Sequence, residues 1–199
     1  MIIETVQVFY KLNRKADMKV LSRQGKTLLK TDLDEIGYAL EKAIISGIDL
    51  SEAEVINKDL RNANLDGAVF DGALFLDVDL SGANMSECSL KNTVFIRCKL
   101  YDTCFAESNL QDAEFNNCSF GDTDFAYTCL EGIKVKTDRL SYFNFSSAES
   151  FSKGNFTWRG EEIPMDTPPA IFQNASESMM VFDGHILCNG KIFKCKKAP

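Results

Sequence analysis

The 199-residue chain is poor in several residues that chemistry and chain reversal usually need: it has four prolines, one tryptophan and one histidine. All four prolines lie at position 164 or later, so the first four-fifths of the chain contain no residue that forbids a regular hydrogen-bonded backbone. With His185 as the sole histidine, a Ser-His-Asp arrangement elsewhere has no candidate base, and the short strand pattern around His185 points to a structural or surface role. There is no glycine-rich phosphate loop and no cluster of metal ligands. The seven cysteines are odd in number and contain no CxxC pair, which argues against a disulfide framework or a zinc site and suits a reducing cytoplasm. The first ten residues lack the basic start of a signal peptide, and no stretch reaches the roughly eighteen apolar residues of a membrane span. These absences lead us to expect a soluble, cytoplasmic, non-catalytic chain with no cofactor, no metal and no membrane partner.

Positive charge is also short where the chain is longest. Residues 46–150 hold eight basic and eighteen acidic side chains, which more than accounts for the formal charge of −7. Direct nucleic-acid binding is therefore excluded as an expectation, since phosphate recognition needs lysine and arginine in excess on some surface.

What the sequence has in abundance is a period of five. From Leu50, every fifth residue to Phe145 is apolar, passing through Leu65, Phe70, Phe75, Leu80, Met85, Phe95, Phe105 and Phe125. Two positions earlier stands a mostly small residue, as at Ala53, Ala63, Ala73, Cys88, Thr93, Cys98, Ser108 and Cys118, while the intervening positions are mainly Asp, Asn, Ser, Gly, Lys and Glu. Helices repeat at 3.6 and strands at 2.0, so neither is the main element; a solenoid of stacked units is. The unit Ala63-Asn64-Leu65-Asp66-Gly67, repeated as Ala83-Asn84-Met85-Ser86-Glu87, resembles the pentapeptide-repeat family. That resemblance implies a right-handed quadrilateral β-helix of about five coils over residues 48–147, with the central and small residues inward and the other three facing water.

Four pentapeptides per coil assign each position, modulo twenty, to one of four walls. Wall 1 carries the Leu50 column, wall 2 the Val55 column, wall 3 the Leu60 column and wall 4 the Leu65 column. Inward Cys88, Cys98 and Cys118 then read as small packing residues, and Cys104 and Cys129 as outward thiols. Walls 4 and 1 share a corner and each sums to −4: Asp66, Glu87, Glu107 and Asp124 on the former, with Asp49, Asp71, Asp112 and Glu131 prominent on the latter. Over a rise of roughly 24 Å this is about one charge per 3 Å, near the one per 3.4 Å of a single DNA strand. The resembled family includes gyrase-interacting proteins that mimic a DNA duplex, which implies a DNA-binding enzyme such as a type II topoisomerase as one possible partner.

Wall 2 differs, for Ile56, Leu74, Leu76, Val94 and Ile96 fall at outward positions and form an apolar patch that needs a cover. The expected cover is the N-terminal module, residues 1–47, which reads as β-strands over 2–12 and 18–30, a turn at Gln24-Gly25, and a helix capped by Thr31 or Asp32 with Leu33, Ile36, Leu40 and Ile44 on one stripe before Gly47. The same patch could instead form a dimer seam, so monomer and homodimer both stay open. Residues 148–199 read as linker, cap and β-meander, with Phe143, Phe145, Phe151, Phe156 and Trp158 plugging the open end and two-residue turns at Asp183-Gly184 and Asn189-Gly190. The expected function is a protein-binding scaffold that presents walls 4 and 1 to a protein partner, with DNA mimicry, or a spacer acting through its end modules, as alternatives.

Overall fold

The computed structural model describes residues 18–31, 35–137, 144–173, 178–182 and 184–194. The strand expected over 2–12, the helix cap Asp32 with Leu33, Leu140, Phe143, Asp183 and Cys195 lie outside the described residues. In chain order the elements are β1 (Met18–Ser22), β2 (Thr27–Thr31), α1 (Ile36–Ile45), β3 (Ala53–Ile56), β4 (Leu74–Leu76), β5 (Val94–Ile96), β6 (Lys99–Leu100), β7 (Glu114–Asn116), β8 (Ser119–Phe120), β9 (Lys134–Thr137), β10 (Gly154–Trp158), β11 (Glu161–Met165), β12 (Ala170–Gln173), β13 (Ser178–Phe182), β14 (His185–Cys188) and β15 (Lys191–Lys194).

The period of five is a turn rule. The carbonyl of a central residue accepts a bond from the N–H three positions on, as in Ala53 N to Leu50 O at 3.1 Å and Ala63 N to Leu60 O at 3.1 Å. The residue before that donor takes a positive φ, 60° at Glu52, 58° at Asn62 and 66° at Gly67. This is the signature of a type II turn, whose third residue is left-handed and favours Gly or Asn. Turns of this kind close the corners after walls 1, 3 and 4, while after wall 2 the chain leaves its strands through a bend with a positive φ (55° at Asp77, 52° at Arg97) and no such bond among the described residues. The chain returns after twenty residues, and the coils pair in parallel: Val55 with Phe75, Phe75 with Phe95, Phe95 with Phe115 and Phe115 with Val135.

The twenty-residue spacing stacks like on like. Phe75, Phe95 and Phe115 lie nearly parallel at centroid distances of 5.0 and 4.8 Å, Phe105 and Phe125 at 5.4 Å, and the two columns meet edge-on across the interior. All of these rings are fully buried. The small inward residues do more than save space. Thr93 donates to Phe70 O at 2.8 Å, Thr103 to Leu80 O at 2.9 Å, Ser108 to Met85 O at 2.7 Å, and the thiols of Cys88, Cys98 and Cys118 approach the corresponding carbonyls at 3.2 to 3.4 Å. Each ties a coil to the one before it through a carbonyl that would otherwise be buried without a side-chain partner.

Wall 2 is the spine of the molecule. Its strands belong to a nine-stranded sheet in the order β11-β10-β9-β7-β5-β4-β3-β1-β2. The N-terminal hairpin joins edge-on, β1 antiparallel to β3, and its turn falls at Gly25 (φ 80°) as expected. The helix starts later than the sequence suggests: Thr31 ends β2, and Glu35 is the N-cap without a side-chain capping bond. It stops where expected, with Gly47 at φ 69° and Ile48 N bonded to Ala43 O at 3.0 Å, a Schellman closure. It does not cover wall 2. Leu40, Ala39 and Ala43 point into the first coil, Gly37 packs on Ala63, and the Glu41 carboxylate accepts the Asn64 N–H at 2.8 Å, a donor that in later coils is taken by the preceding coil. The helix is an end cap.

At the other end the coil runs on past residue 147. Phe145 continues the Phe125 column and is fully buried, then one extra residue enters: Cys129 pairs with Ser150 and Lys134 with Asn155, a spacing of twenty-one. The expected linker thus contains β10, parallel to β9, and a hairpin to β11. Beyond it, β12 to β15 form a four-stranded antiparallel meander, one strand more than the three that the turn signals at 183–184 and 189–190 imply. Phe182 stacks on Phe156 at 4.8 Å, and Met180 and Leu187 join the same core as Trp158, so the meander seals the far end.

Candidate protein-binding surface

The expected acidic residues stand at outward positions of two adjoining walls. On wall 4, Asp66, Glu87, Glu107 and Asp124 are exposed. Glu87 (φ 54°) and Glu107 (φ 59°) are the left-handed residues of their turns, one coil apart. On wall 1, Asp49, Asp112 and Glu131 are exposed, Asp112 again at a turn (φ 56°). Some of these groups are anchored. Asp49 accepts the Ser51 N–H at 2.8 Å, and bonds from Ser51 hold its carboxyl below the usual carboxylate value. Asp71 is half-buried and accepts both the Ser89 hydroxyl at 2.7 Å and the Lys91 N–H at 2.9 Å, so it ties two coils together as well as contributing charge. Asp124 accepts the Ala126 N–H at 2.9 Å.

The corner between walls 2 and 3 has the opposite character. Arg97 pairs with Asp77 at 2.6 Å, Lys99 with Asp79 at 2.9 Å and Arg61 with Asp59 at 2.6 Å. The Arg61 guanidinium pulls the Asp59 carboxyl down to about 2. A cleft of about 860 Å³ opens between α1 and the first coil, lined by Tyr38, Glu41, Lys58, Asp59, Arg61 and Ala63 among others. Its arginine and aspartate are already engaged with each other. Burial pushes the Cys88 thiol up to about 12 and holds Cys118 far above its ordinary value, so these thiols stay protonated and serve as donors. His185 is half-buried on β14, paired with Phe182 and Lys194.

The five apolar residues of wall 2 are brought together as the spacing requires, on β3, β4 and β5. Leu74 is buried and Ile56, Leu76, Val94 and Ile96 are half-buried. Periodicity alone did not reveal that the patch gains Leu21, which pairs with Glu54 on the same face, or that Glu54 itself is only 5% exposed. The alternation in "KVLSR" was the available signal for Leu21.

Four inward-facing columns, type II turns at the corners after walls 1, 3 and 4 and rungs paired at twenty residues define a β-solenoid built from pentapeptides. The chain belongs to the pentapeptide-repeat family: the family descriptions "Pentapeptide repeats (8 copies)" and "Pentapeptide repeat region" match residues 43–75 and 68–145, which together take in just over half of it. No curated protein matches it. Among solved structures it is similar to a pentapeptide repeat protein of the Arabidopsis thaliana thylakoid lumen, with 31% identity over 40% of this chain and 63% of that one and a TM-score of 0.34. It is also similar to HetL, a pentapeptide repeat protein involved in heterocyst differentiation regulation in Nostoc sp. (18% identity, 58% of this chain and 47% of that one, TM-score 0.34). A third is QnrB1, a plasmid-mediated fluoroquinolone resistance protein (11% identity, 53% and 66%, TM-score 0.32). The chain spans less than two-thirds of the first two. No helix among the described residues is long and apolar enough to cross a membrane.

Proposed function

We propose that this protein is a non-catalytic scaffold that binds a protein partner through the adjoining walls 4 and 1. The observation that carries this reading is the outward placement of Asp49, Asp66, Glu87, Glu107, Asp112, Asp124 and Glu131 on two walls that share a corner, on a backbone fixed by paired coils. A rigid acidic surface steers a basic partner and fixes its register, and it loses little side-chain order on binding because the backbone is already held. These carboxylates stand at exposed positions, where burial does not tune them for acid-base work.

The second reading, a DNA mimic that modulates or protects a DNA-binding enzyme such as a type II topoisomerase, is favoured by charge spacing: the rungs repeat at about 4.8 Å and the two walls together carry roughly one net charge per 3 Å. One experiment addresses both. Tagged wild type and a variant with Asp66→Lys, Glu107→Lys, Asp112→Lys and Asp124→Lys are used for affinity capture from native lysate at low and high salt, with and without competing duplex DNA. The scaffold reading expects a partner held at low salt, released at high salt and lost with the variant. Displacement by duplex DNA selects the mimic. A partner retained equally by both proteins removes the acidic walls from consideration and moves the contact to the end modules.

A further inference from the structure

We propose that the outward face of the C-terminal meander docks on the surface of an anionic lipid bilayer. The argument starts from a missing alternation. An antiparallel sheet with one face in water reads apolar and polar in turn, whereas β13 and β14 carry the unbroken runs Met179-Met180-Val181-Phe182 and Ile186-Leu187-Cys188. Cross-strand register sorts these residues into two faces. Met180, Phe182 and Leu187 belong to the core with Phe156 and Trp158, and Ile192 packs against it, so this face seals the solenoid. The other face sets Ala170, Val181, Ile186 and Phe193 in one row across all four strands, with Met179 and Lys191 in the next. Ala170, Lys191 and Phe193 are exposed, Phe193 to 54%, and Met179, Val181 and Ile186 are half-buried. Strands that are apolar on both sides are built to be covered on both.

Charge and size select the occupant. Lys191 stands on this face, and Lys194 lies at its edge, 74% exposed and 3.7 Å from Glu161. From Gly184 to Pro199 the chain holds four lysines and no aspartate or glutamate, in a protein whose formal charge is −7. An apolar row edged by lysine fits a surface that is oily beneath an anionic layer, where each lysine strengthens attachment about fivefold. The face spans three inter-strand spacings of about 4.8 Å by four residues of about 3.4 Å, on the order of 200 Å². That is about a quarter of the roughly 800 Å² that each partner gives to a stable protein interface. A second copy is disfavoured on the same count, and a two-fold pair would meet Lys191 with no acid from the same rows. A bilayer sets no such minimum, since one inserted aromatic and a few lysines suffice for reversible docking, and no spanning helix is required. The face is opposite the one that packs on the solenoid, so docking leaves walls 4 and 1 off the bilayer.

The test is co-sedimentation of the full-length protein with vesicles of phosphatidylcholine alone and of phosphatidylcholine containing about 30% phosphatidylserine. Binding to the mixed vesicles should exceed binding to the neutral ones at least about tenfold and fall with added salt. Phe193→Ser, and the pair Lys191→Glu with Lys194→Glu, should each reduce it at least about fivefold. Equal binding to both vesicles, binding to neither, or binding that survives both variants overturns the proposal. So does a concentration-dependent dimer in lipid-free sedimentation velocity that Phe193→Ser abolishes, which makes a second copy the occupant. If Phe193→Ser fails to fold, Phe193→Trp reports instead: its emission should shift to the blue on mixed vesicles and be quenched by bromine-labelled acyl chains, a signal that the buried Trp158 of the wild type does not give. Absence of that quenching sinks it. No residue of walls 4 and 1 is altered, so failure here leaves the acidic-wall reading standing.

Discussion

Walls 2 and 4 have the same interior and opposite exteriors. Inside, both present a phenylalanine column at rung spacing, and Phe95 meets Phe105 edge-on at 5.9 Å. Outside, wall 2 is a continuous sheet of strands with aliphatic residues on three successive coils, while wall 4 is a row of isolated bridges bearing carboxylates. The fold is therefore specified by two of every five residues, and the remaining three are free to differ from wall to wall. That freedom lets one scaffold carry an apolar face and an acidic face on opposite sides.

The largest effect should show that the interiors are equivalent. Phe95→Ala and Phe105→Ala are each expected to cost about 3 to 5 kcal/mol, since neither stack can collapse without moving adjacent coils; chemical denaturation would measure both. If one proves nearly neutral, the two walls are not equally packed. Next comes the contrast between exteriors. Leu74→Asp on wall 2 should destabilise by about 2 to 4 kcal/mol through burial of a carboxylate, whereas Glu107→Lys on wall 4 should stay within about 0.5 kcal/mol. Equal responses would erase the distinction. A smaller loss, about 1 to 2 kcal/mol, is expected for Thr103→Val, which keeps the shape but withdraws the donor from Leu80 O, while Thr103→Ser should restore most of it.

The sign reverses at the turns. Glu107→Gly should stabilise by a few tenths to about 1 kcal/mol, because its φ of 59° costs a residue with a Cβ more than it costs glycine. The smallest effect belongs to the corner of ion pairs. Asp59, Asp77 and Asp79 have depressed carboxyls, so their contribution is present above the ordinary value of 3.8 and is lost as pH falls through their lower folded values, toward about 2 for Asp59. A modest fall in Tm over that acid range is expected, weaker in high salt because the basic partner of each pair is largely exposed, although Asp77 and Asp79 are less so. Loss of Tm already near pH 6 would point to other groups.

The repeats were legible because each position has one job. Counting in fives places Phe75, Phe95 and Phe115 inward, and counting in twenties puts them on one wall. Outwardness was equally legible for Asp66 and Glu107. Whether a carboxylate is free or bonded was not, because Asp71 is engaged by Ser89 and by the Lys91 backbone one coil away, a contact that depends on rotamers rather than spacing. The flanks were harder for a different reason. β10 and β11 contain Gly154 and Pro164, and the extra residue before Ser150 shifts the period by one, so Phe156 falls out of its column in sequence while staying in it in space. The helix was recognisable from Ile36, Leu40 and Gly47, but its destination was not: an amphipathic stripe needs an apolar surface, and the mouth of the first coil offers one as well as wall 2 does.

The seals at the two mouths of the solenoid have a consequence for assembly. A stack of rungs ends in unpaired backbone groups that would accept another stack, and open-ended tubes of this kind can grow into fibres of indefinite length. Here Glu41 occupies a rung donor at one mouth and the Phe182 meander fills the other, so the tube's height is set by counting repeats and can serve the molecule as a fixed ruler.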